Sequence, residues 1–434
     1  MVERLGVWAE RYEGFVRVGM LTLSDTGEER FSYDESYLRA SSSVPIYPIL
    51  PLSARPFGAD TTRAAFSSLG PEGPVGRDVR IALRAGREAV VPVLGRLNHE
   101  TVGALTFTRD DEEPDCAAVE PRTVDEDFLR ALSSDSTRTA YETMLASRLS
   151  LNGAVAKVGV TRRGDTWFLP RGLEPSTHIL KAGSVSYPDQ MLNEALCMRC
   201  AVTCGFEDAA RTSLITLDGC DPILVSERFD RAVEEGRPHG LSPVMRLHQA
   251  DFCQVVGIST DALKYVPADE LVPSYNEMVA SAISRESSER YGDRSYVFEA
   301  QVFNYLLGNC DNHLKNLSMT WASDWSAKAV SPIYDVTCTT MYPELSRDMG
   351  LGIGCHRSID AVEPGDFLDF ARQMGVSAAQ ARTSLSDLAE SFVPSLYAAA
   401  DSLEEESAVD AVRLAEAFEA DSCARIEVVR RAAT

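Results

Sequence analysis

The hydrophobic pattern of this chain changes period along its length. In residues 1–108 the apolar positions come in short runs of β-formers: Val7-Trp8, Phe15 to Val18 and Met20 to Leu23, with Gly14 and Gly19 expected to break the strands. Phe31 and Tyr33 alternate with polar neighbours, as on a half-buried strand. Pro45, Pro48, Pro51 and Pro56 then predict an extended segment that no helix crosses. Arg80 to Ala89 reads as a short helix, and Asn98 to Phe107 as a turn and a closing strand. Asp125 to Arg148 reads as helical segments interrupted around 133–136. Residues 150–169 read as strand, small-residue loop, strand, tight turn at Arg163-Gly164, strand. Thr177 to Lys181 is a further strand, Glu194 opens a helix, and Ile223 to Arg231 is an apolar strand that turns polar.

From about 245 onward the helical period dominates. Leu247 to Val256 and Tyr296 to Leu307 read as helices, and Leu317 to Trp321 with Ala327 to Val330 as a small hairpin. The chain from Glu363 to the end is helical, with a break or kink expected at Pro394. The fold class is α+β: a β-rich N-terminal subdomain, a mixed middle and a mainly helical C-terminal part.

Composition narrows this picture. The 434 residues are 44% apolar, enough for more than one core. Residues 109–123 are acidic and carry Pro114 and Pro121, which marks a linker. The division expected is therefore 1–108, linker 109–123, 124–235 and 236–434. A net charge of −23 argues against broad binding to nucleic acid or anionic membranes, but leaves room for docking on a basic protein. No run approaches the ~18 apolar residues of a membrane span, and Met1 to Leu5 lacks an apolar signal region, so a cytoplasmic location is expected. Cys197, Cys200 and Cys204 share a helix face without an apparent fourth ligand, so they read as buried thiols before they read as a zinc site.

Candidate chemistry centres on residues 308–316, Gly-Asn-Cys-Asp-Asn-His-Leu-Lys-Asn. An Asp followed five positions later by an Asn is what a phosphoryl-transfer loop uses, one as proton acceptor and the other as metal ligand. Read alone, the stretch is equally a polar turn. Upstream, Gly153 and Ala154 form a small-residue loop able to approach phosphates, though it also fits an ordinary hairpin. Lys181 ends an apolar strand, where kinases place a phosphate-binding lysine, and Glu194 could supply its ion-pair partner, a pairing the sequence leaves open. At Glu227 and Phe229 a hinge could meet an adenine. Asp335, just beyond a strand, is a carboxylate of the kind that holds Mg²⁺ against phosphates.

Taken in order, these stretches resemble the HipA-type serine/threonine kinases, toxins of bacterial toxin–antitoxin pairs. The resemblance rests on Leu69 to Gly73, Gly95, Val102 to Phe107, Ser150-x-x-Gly-Ala-x-x-Lys157, Thr177 to Lys181, Asn193-Glu194, Glu227 to Arg231, Asp251 to Gln254, Phe303 to Asn316 and Pro332 to Asp335. It implies a two-lobed, protein-kinase-like fold that uses ATP and Mg²⁺. Asp311 would be the catalytic base, with His313 and Lys315 supporting the loop or the phosphates, and Asn316 and, chiefly, Asp335 would be metal ligands. Asn152, Gly153, Ala154, Lys157 and Lys181 would hold phosphates, with Glu227 and Phe229 at the adenine. Ser150 matches the serine whose autophosphorylation switches such kinases off. Val155 and Ala156 depart from the family, which carries polar residues there. The implied partners are a HipB-like DNA-binding antitoxin, with DNA reached only through it, and a protein substrate such as an aminoacyl-tRNA synthetase. A non-enzymatic co-repressor and a small-molecule kinase are the other functions compatible with these residues.

Overall fold

The structure is a computed structural model. It describes residues 3–86, 89–97, 99–109, 112–117, 119–148, 151, 155–184, 186–238, 240–259, 264–265 and 272–434. The chain divides into two compact units. One comprises 1–182, 227–260 and 320–327; the other comprises 183–226, 261–319 and 328–434.

The first unit opens with a four-stranded antiparallel sheet, in the order Glu29–Tyr33, Gly14–Leu23, Glu3–Arg11, Leu105–Arg109. The alternation expected at Phe31 and Tyr33 is present in Glu29–Tyr33, whereas Leu5 to Glu10 of the Glu3–Arg11 strand are buried throughout. Leu5, Val7, Leu21, Phe31 and Phe107 are fully buried, and Phe31 packs its ring against Tyr33, Phe57 and Phe66. The expected break at Gly19 does not occur: one strand runs from Gly14 to Leu23. Gly19 instead permits close approach, because a Cβ there would lie 2.2 Å from the carbonyl oxygen of Ser32. The Gly73–Leu83 helix begins seven residues before the expected Arg80 and carries a proline in its first turn.

Helices Ala59–Phe66 and Val91–Arg96 have no counterpart in the sequence reading. Both are too short to be stable alone. The second is held by Val91, Val93 and Leu94 in the core and by a distant cap. Glu29 Oε1 accepts the backbone N–H groups of Val90 and Val91 at 2.8 and 2.9 Å.

A second antiparallel array in this unit runs Arg122–Thr123, Thr166–Leu169, Ala156–Arg163, His178–Ala182. Its turn falls at Gly164, with φ of 59°, as expected. Helices Glu126–Ser134 and Ser136–Ser147 are interrupted where predicted, at Asp135. Of the helix expected over 247–256, only Phe252–Val256 forms, started by a capping box between Asp251 and Gln254. The preceding residues are the strand Gln249–Asp251 and buried His248, whose ring stacks on Trp325 at 4.5 Å.

The second unit is mainly helical: Gln190–Thr203, Val272–Glu286, Arg290–Leu307, Pro364–Met374, Ala378–Glu406 and Ala411–Ala433. The Ala378–Glu406 helix passes through Pro394 unbroken. Next to the proline it is clamped to the Gln190–Thr203 helix by reciprocal bonds, Thr203 Oγ1 to Ser395 O at 3.0 Å and Ser395 Oγ to Thr203 O at 2.9 Å. Cys197 and Cys200 are fully buried in this packing, and Cys204 is half-buried. No helix among the described residues is long and apolar enough to cross a membrane.

Candidate functional site

In the second unit the Asp-to-Asn stretch is a loop whose backbone is almost completely accounted for. The Arg290–Leu307 helix ends at Gly308, φ 86°, with its N–H returned to the carbonyls of Asn304 and Tyr305. A side chain at 308 is excluded, since a Cβ would sit 2.1 Å from Thr340 Oγ1. Asn309 Oδ1 accepts the N–H of Asp311 at 2.9 Å, an Asx-type turn. Thr339 Oγ1 accepts from Cys310 N at 2.8 Å, and Cys310 O accepts from Gly350 N at 2.8 Å. The loop is closed by Asn316 Nδ2, which donates to the carbonyl of Asp311 at 2.9 Å. The five-residue spacing therefore has a structural meaning: it joins the base candidate and the metal-ligand candidate by one hydrogen bond. Gly308→Ala is expected to destabilise this unit by about 1–3 kcal/mol, read from urea unfolding of wild type and variant.

The side chains sort by exposure. Asp311 is exposed, Asn316 half-buried, and His313 and Lys315 buried. With its Nδ2 used on Asp311, Asn316 leaves Oδ1 without a donor among the described residues. Asp335 is half-buried and sits at φ 58°, a conformation uncommon for a residue with a side chain. A neutral amide oxygen and a carboxylate are the hard donors that suit Mg²⁺.

His313 is caged. Burial pushes its imidazole down to about 4; the Asp311 carboxylate opposes this and Lys264 adds to it. Among the described residues nothing bonds its Nδ1. The imidazole is thus neutral at pH 7. Between the ordinary value of 6.5 and about 4 the unfolded chain takes up a proton that the folded chain refuses. Stability should therefore be full above pH 6.5 and fall as pH drops through this window, by about 3 kcal/mol at most. Urea midpoints measured across pH 4–7 should show that slope in wild type and a flatter profile in His313→Asn.

One residue near this loop was not anticipated. Tyr265 donates its phenol O–H to Asp311 Oδ1 and sets its ring edge against His313, centroids 4.9 Å apart. Lys264 O accepts the N–H of Leu314 at 3.2 Å. The Lys264-Tyr265 pair carries no periodic signal, so only the folded contact reveals it.

In the first unit Lys157 and Lys181 are direct cross-strand partners in the register of Ala156–Arg163 and His178–Ala182. Their side chains share one face of the sheet, and both residues are buried. Ser150, Asn152, Gly153 and Ala154 lie outside the described residues.

The segment after the Ile223–Glu227 strand alternates. Glu227 is exposed and Phe229 half-buried, while Arg228 and Asp230 are buried. Arg228 forks onto both oxygens of Asp230 at 2.9 and 2.7 Å. Arg231 pairs with Glu100, whose carboxylate also accepts Ser176 N at 3.1 Å. Burial alone would raise the Asp230 carboxyl, but Arg228 and Arg231 outweigh it and hold it below the usual carboxylate range. Glu227 and Phe229 thus alternate with buried side chains that are paired with one another. Arg228, Asp230, Arg231 and Glu100 carry no role in the local sequence pattern; only their pairing in the fold reveals one. Glu194 lies in the second turn of the Gln190–Thr203 helix, not at its start, and is buried. Beside it Asn193 bonds Cys338 O at 3.0 Å and accepts from Cys338 N at 2.8 Å, holding the segment that follows Asp335.

Comparison with known proteins gives one consistent result. Residues 7–108 match the family described as HipA N-terminal domain, and residues 149–396 the HipA-like C-terminal domain. A Sinorhizobium fredii protein named "Putative kinase Y4mE" is 31% identical over 90% of either chain. A second from the same organism, "Putative kinase Y4dM", is 26% identical over 83% of this chain and 84% of that protein. The HipA chain of the Shewanella oneidensis HipA, HipB and operator DNA complex shares the fold, with a TM-score of 0.78 at 20% identity, over 98% of this chain and 99% of that one.

Proposed function

The chain belongs to the HipA family, and from that premise we propose that it is an ATP- and Mg²⁺-dependent serine/threonine protein kinase, the toxin of a toxin–antitoxin pair. The observation that carries this reading is the closed Asp311–Asn316 loop, with an exposed carboxylate at one end and an unused amide oxygen at the other. In the proposed reaction a substrate hydroxyl oxygen attacks the γ-phosphorus of ATP and its proton passes to Asp311 Oδ2. The bond from phosphorus to the ADP oxygen breaks. Asn316 and Asp335 would hold magnesium, which when bound neutralises phosphate charge. Lys157 and Lys181, with the 152–154 loop, would hold the phosphates, and the backbone at Glu227 and Phe229 would meet the adenine. Glu194 would orient Lys181. His313, kept neutral, would wall the loop without competing for the proton, and buried Lys315 would support it.

We also propose the division 1–108, 109–123, 124–235 and 236–434, and autophosphorylation at Ser150. The added phosphate, about −1.5 to −2 in charge, would repel bound ATP. A HipB-like, DNA-binding antitoxin is the proposed partner, supported by the composition of the Shewanella complex and by a net charge of −23. The target is proposed to be a translation factor of the aminoacyl-tRNA synthetase kind, in the cytoplasm.

The test is transfer of labelled phosphate from ATP to protein by the purified chain, wild type beside Asp335→Ala. Label in wild type that disappears in Asp335→Ala supports the kinase. Equal labelling, or none in wild type across several protein substrates, overturns it. Mass spectrometry that finds the autophosphate away from Ser150 overturns the switch.

A further inference from the structure

Apart from the residues assigned to phosphate transfer, one group of side chains in the second unit has the chemistry of a metal site. Cys355 and His356 follow Gly354 at the tip of the hairpin Asp348–Ile353 and His356–Ser358. Asp366 comes from the first turn of the Pro364–Met374 helix. One ligand atom from each lies within 4.8 Å of the others. Cys355 Sγ is 3.8 Å from Asp366 Oδ1, and His356 Nε2 is 3.5 Å from Asp366 Oδ2. Donors bound tetrahedrally to one zinc ion stand roughly 3.3–3.8 Å apart, given the usual Zn–N, Zn–O and Zn–S lengths. From these contacts we propose that Cys355, His356 and Asp366 bind a single Zn²⁺ ion.

The surroundings are built for it. Asp366 is buried, and its Oδ2 accepts the N–H of Glu363 at 2.8 Å, which fixes the carboxylate plane. Gly354 has φ of 62°, and a Cβ there would lie 2.3 Å from Asp366 Oδ1, so only glycine leaves the carboxylate its place. The hairpin tip is itself held. Gln373 Nε2 donates to Gly354 O at 3.0 Å, and Asn276 Nδ2 donates to Gln373 Oε1 at 2.7 Å and to Gly352 O at 3.2 Å. The two short contacts fall on different oxygens of Asp366, so the donors, spread over up to 4.8 Å, must draw together by side-chain rotation to share an ion, on a frame that is already fixed.

Donor type selects the ion. A thiolate, an imidazole and a carboxylate suit zinc, whereas Mg²⁺ and Ca²⁺ ask for oxygen donors throughout. Thiolate and carboxylate together carry two negative charges, which one Zn²⁺ balances. Cys355 is exposed, so the fourth position opens to water. The same hairpin supports the Asp311 loop, directly through Gly350 N to Cys310 O and indirectly through Gln301, which accepts Asn312 Nδ2 at 2.7 Å and donates Nε2 to Leu351 O at 2.6 Å. Zinc at the tip would tie that platform to the Pro364–Met374 helix.

The experiment titrates the metal-free full chain with Zn²⁺ against a chromophoric chelator, and repeats it with Co²⁺ for its thiolate charge-transfer band. Wild type should take up one equivalent and show the band. Cys355→Ser should lose the band, and Cys355→Ser and His356→Ala should each bind at least about 100-fold more weakly. Cys423→Ser, at the other exposed cysteine, should behave as wild type. Zinc should raise the melting temperature of wild type and leave Cys355→Ser unchanged. Circular dichroism of each variant verifies its fold. No competitive uptake by wild type, or uptake and band unaltered in Cys355→Ser, overturns the site. None of these readouts depends on kinase activity, so this proposal and the preceding one can fail separately.

Discussion

Asp311→Asn is expected to lower phosphate transfer by about 10²–10⁴-fold while leaving ATP affinity within about threefold of wild type. The amide has the carboxylate's shape but cannot take up a proton. The bonds that shape this loop use the main chain of residue 311: its N–H donates to Asn309 Oδ1, and its carbonyl accepts from Asn316 Nδ2. The Tyr265 phenol can still donate to an amide oxygen at the old Oδ1 position. The substitution therefore removes a chemical function and keeps the geometry. Single-turnover transfer and equilibrium nucleotide binding, measured on the same preparations, separate the two. Transfer at the wild-type rate would remove Asp311 from the role of base.

Asp230→Ala is expected to cost about 3–5 kcal/mol of stability, against less than about 1 kcal/mol for Asp360→Ala. Each aspartate accepts a forked arginine, Arg228 for the first and Arg347 for the second. The difference is burial. The side chains of Arg228 and Asp230 are 3% and 4% exposed, whereas those of Arg347 and Asp360 are 42% and 55% exposed. Removing Asp230 leaves a buried guanidinium short of its main counter-charge, and Arg231 loses a carboxylate oxygen at 3.0 Å. Water replaces the lost partner only at the surface pair. Urea unfolding curves of both variants test this, and equal losses would show that the buried network is not what holds the 227–231 segment.

The parts of this fold legible in the sequence are those that local pattern governs. The strand through Val7, the alternation at Phe31 and Tyr33, the interruption at Asp135, the turn at Gly164 and the long C-terminal helices all follow from side-chain period and turn chemistry acting over a few residues. The errors have a common cause. Gly19 looked like a strand break because a glycine's lack of side chain says nothing about which backbone passes beside it. The Val91–Arg96 helix has no local signal because its cap comes from Glu29, on a strand far away in the chain. Residues 247–251 looked helical because a buried histidine and buried strand residues mimic an apolar helix face.

For the candidate site the sequence by itself determined which chemistry is on offer: a carboxylate and a carboxamide five residues apart, a strand lysine and a later aspartate. Residue type and spacing carry that information because they are properties of one stretch of chain. The tertiary structure decided what those groups experience. It opposed Lys157 to Lys181 across two strands, buried His313 until its imidazole stays neutral, set Tyr265 on Asp311, and paired Arg228 with Asp230 away from water. Desolvation and contacts between distant segments exist only once the backbone has closed, so no local reading of the chain contains them.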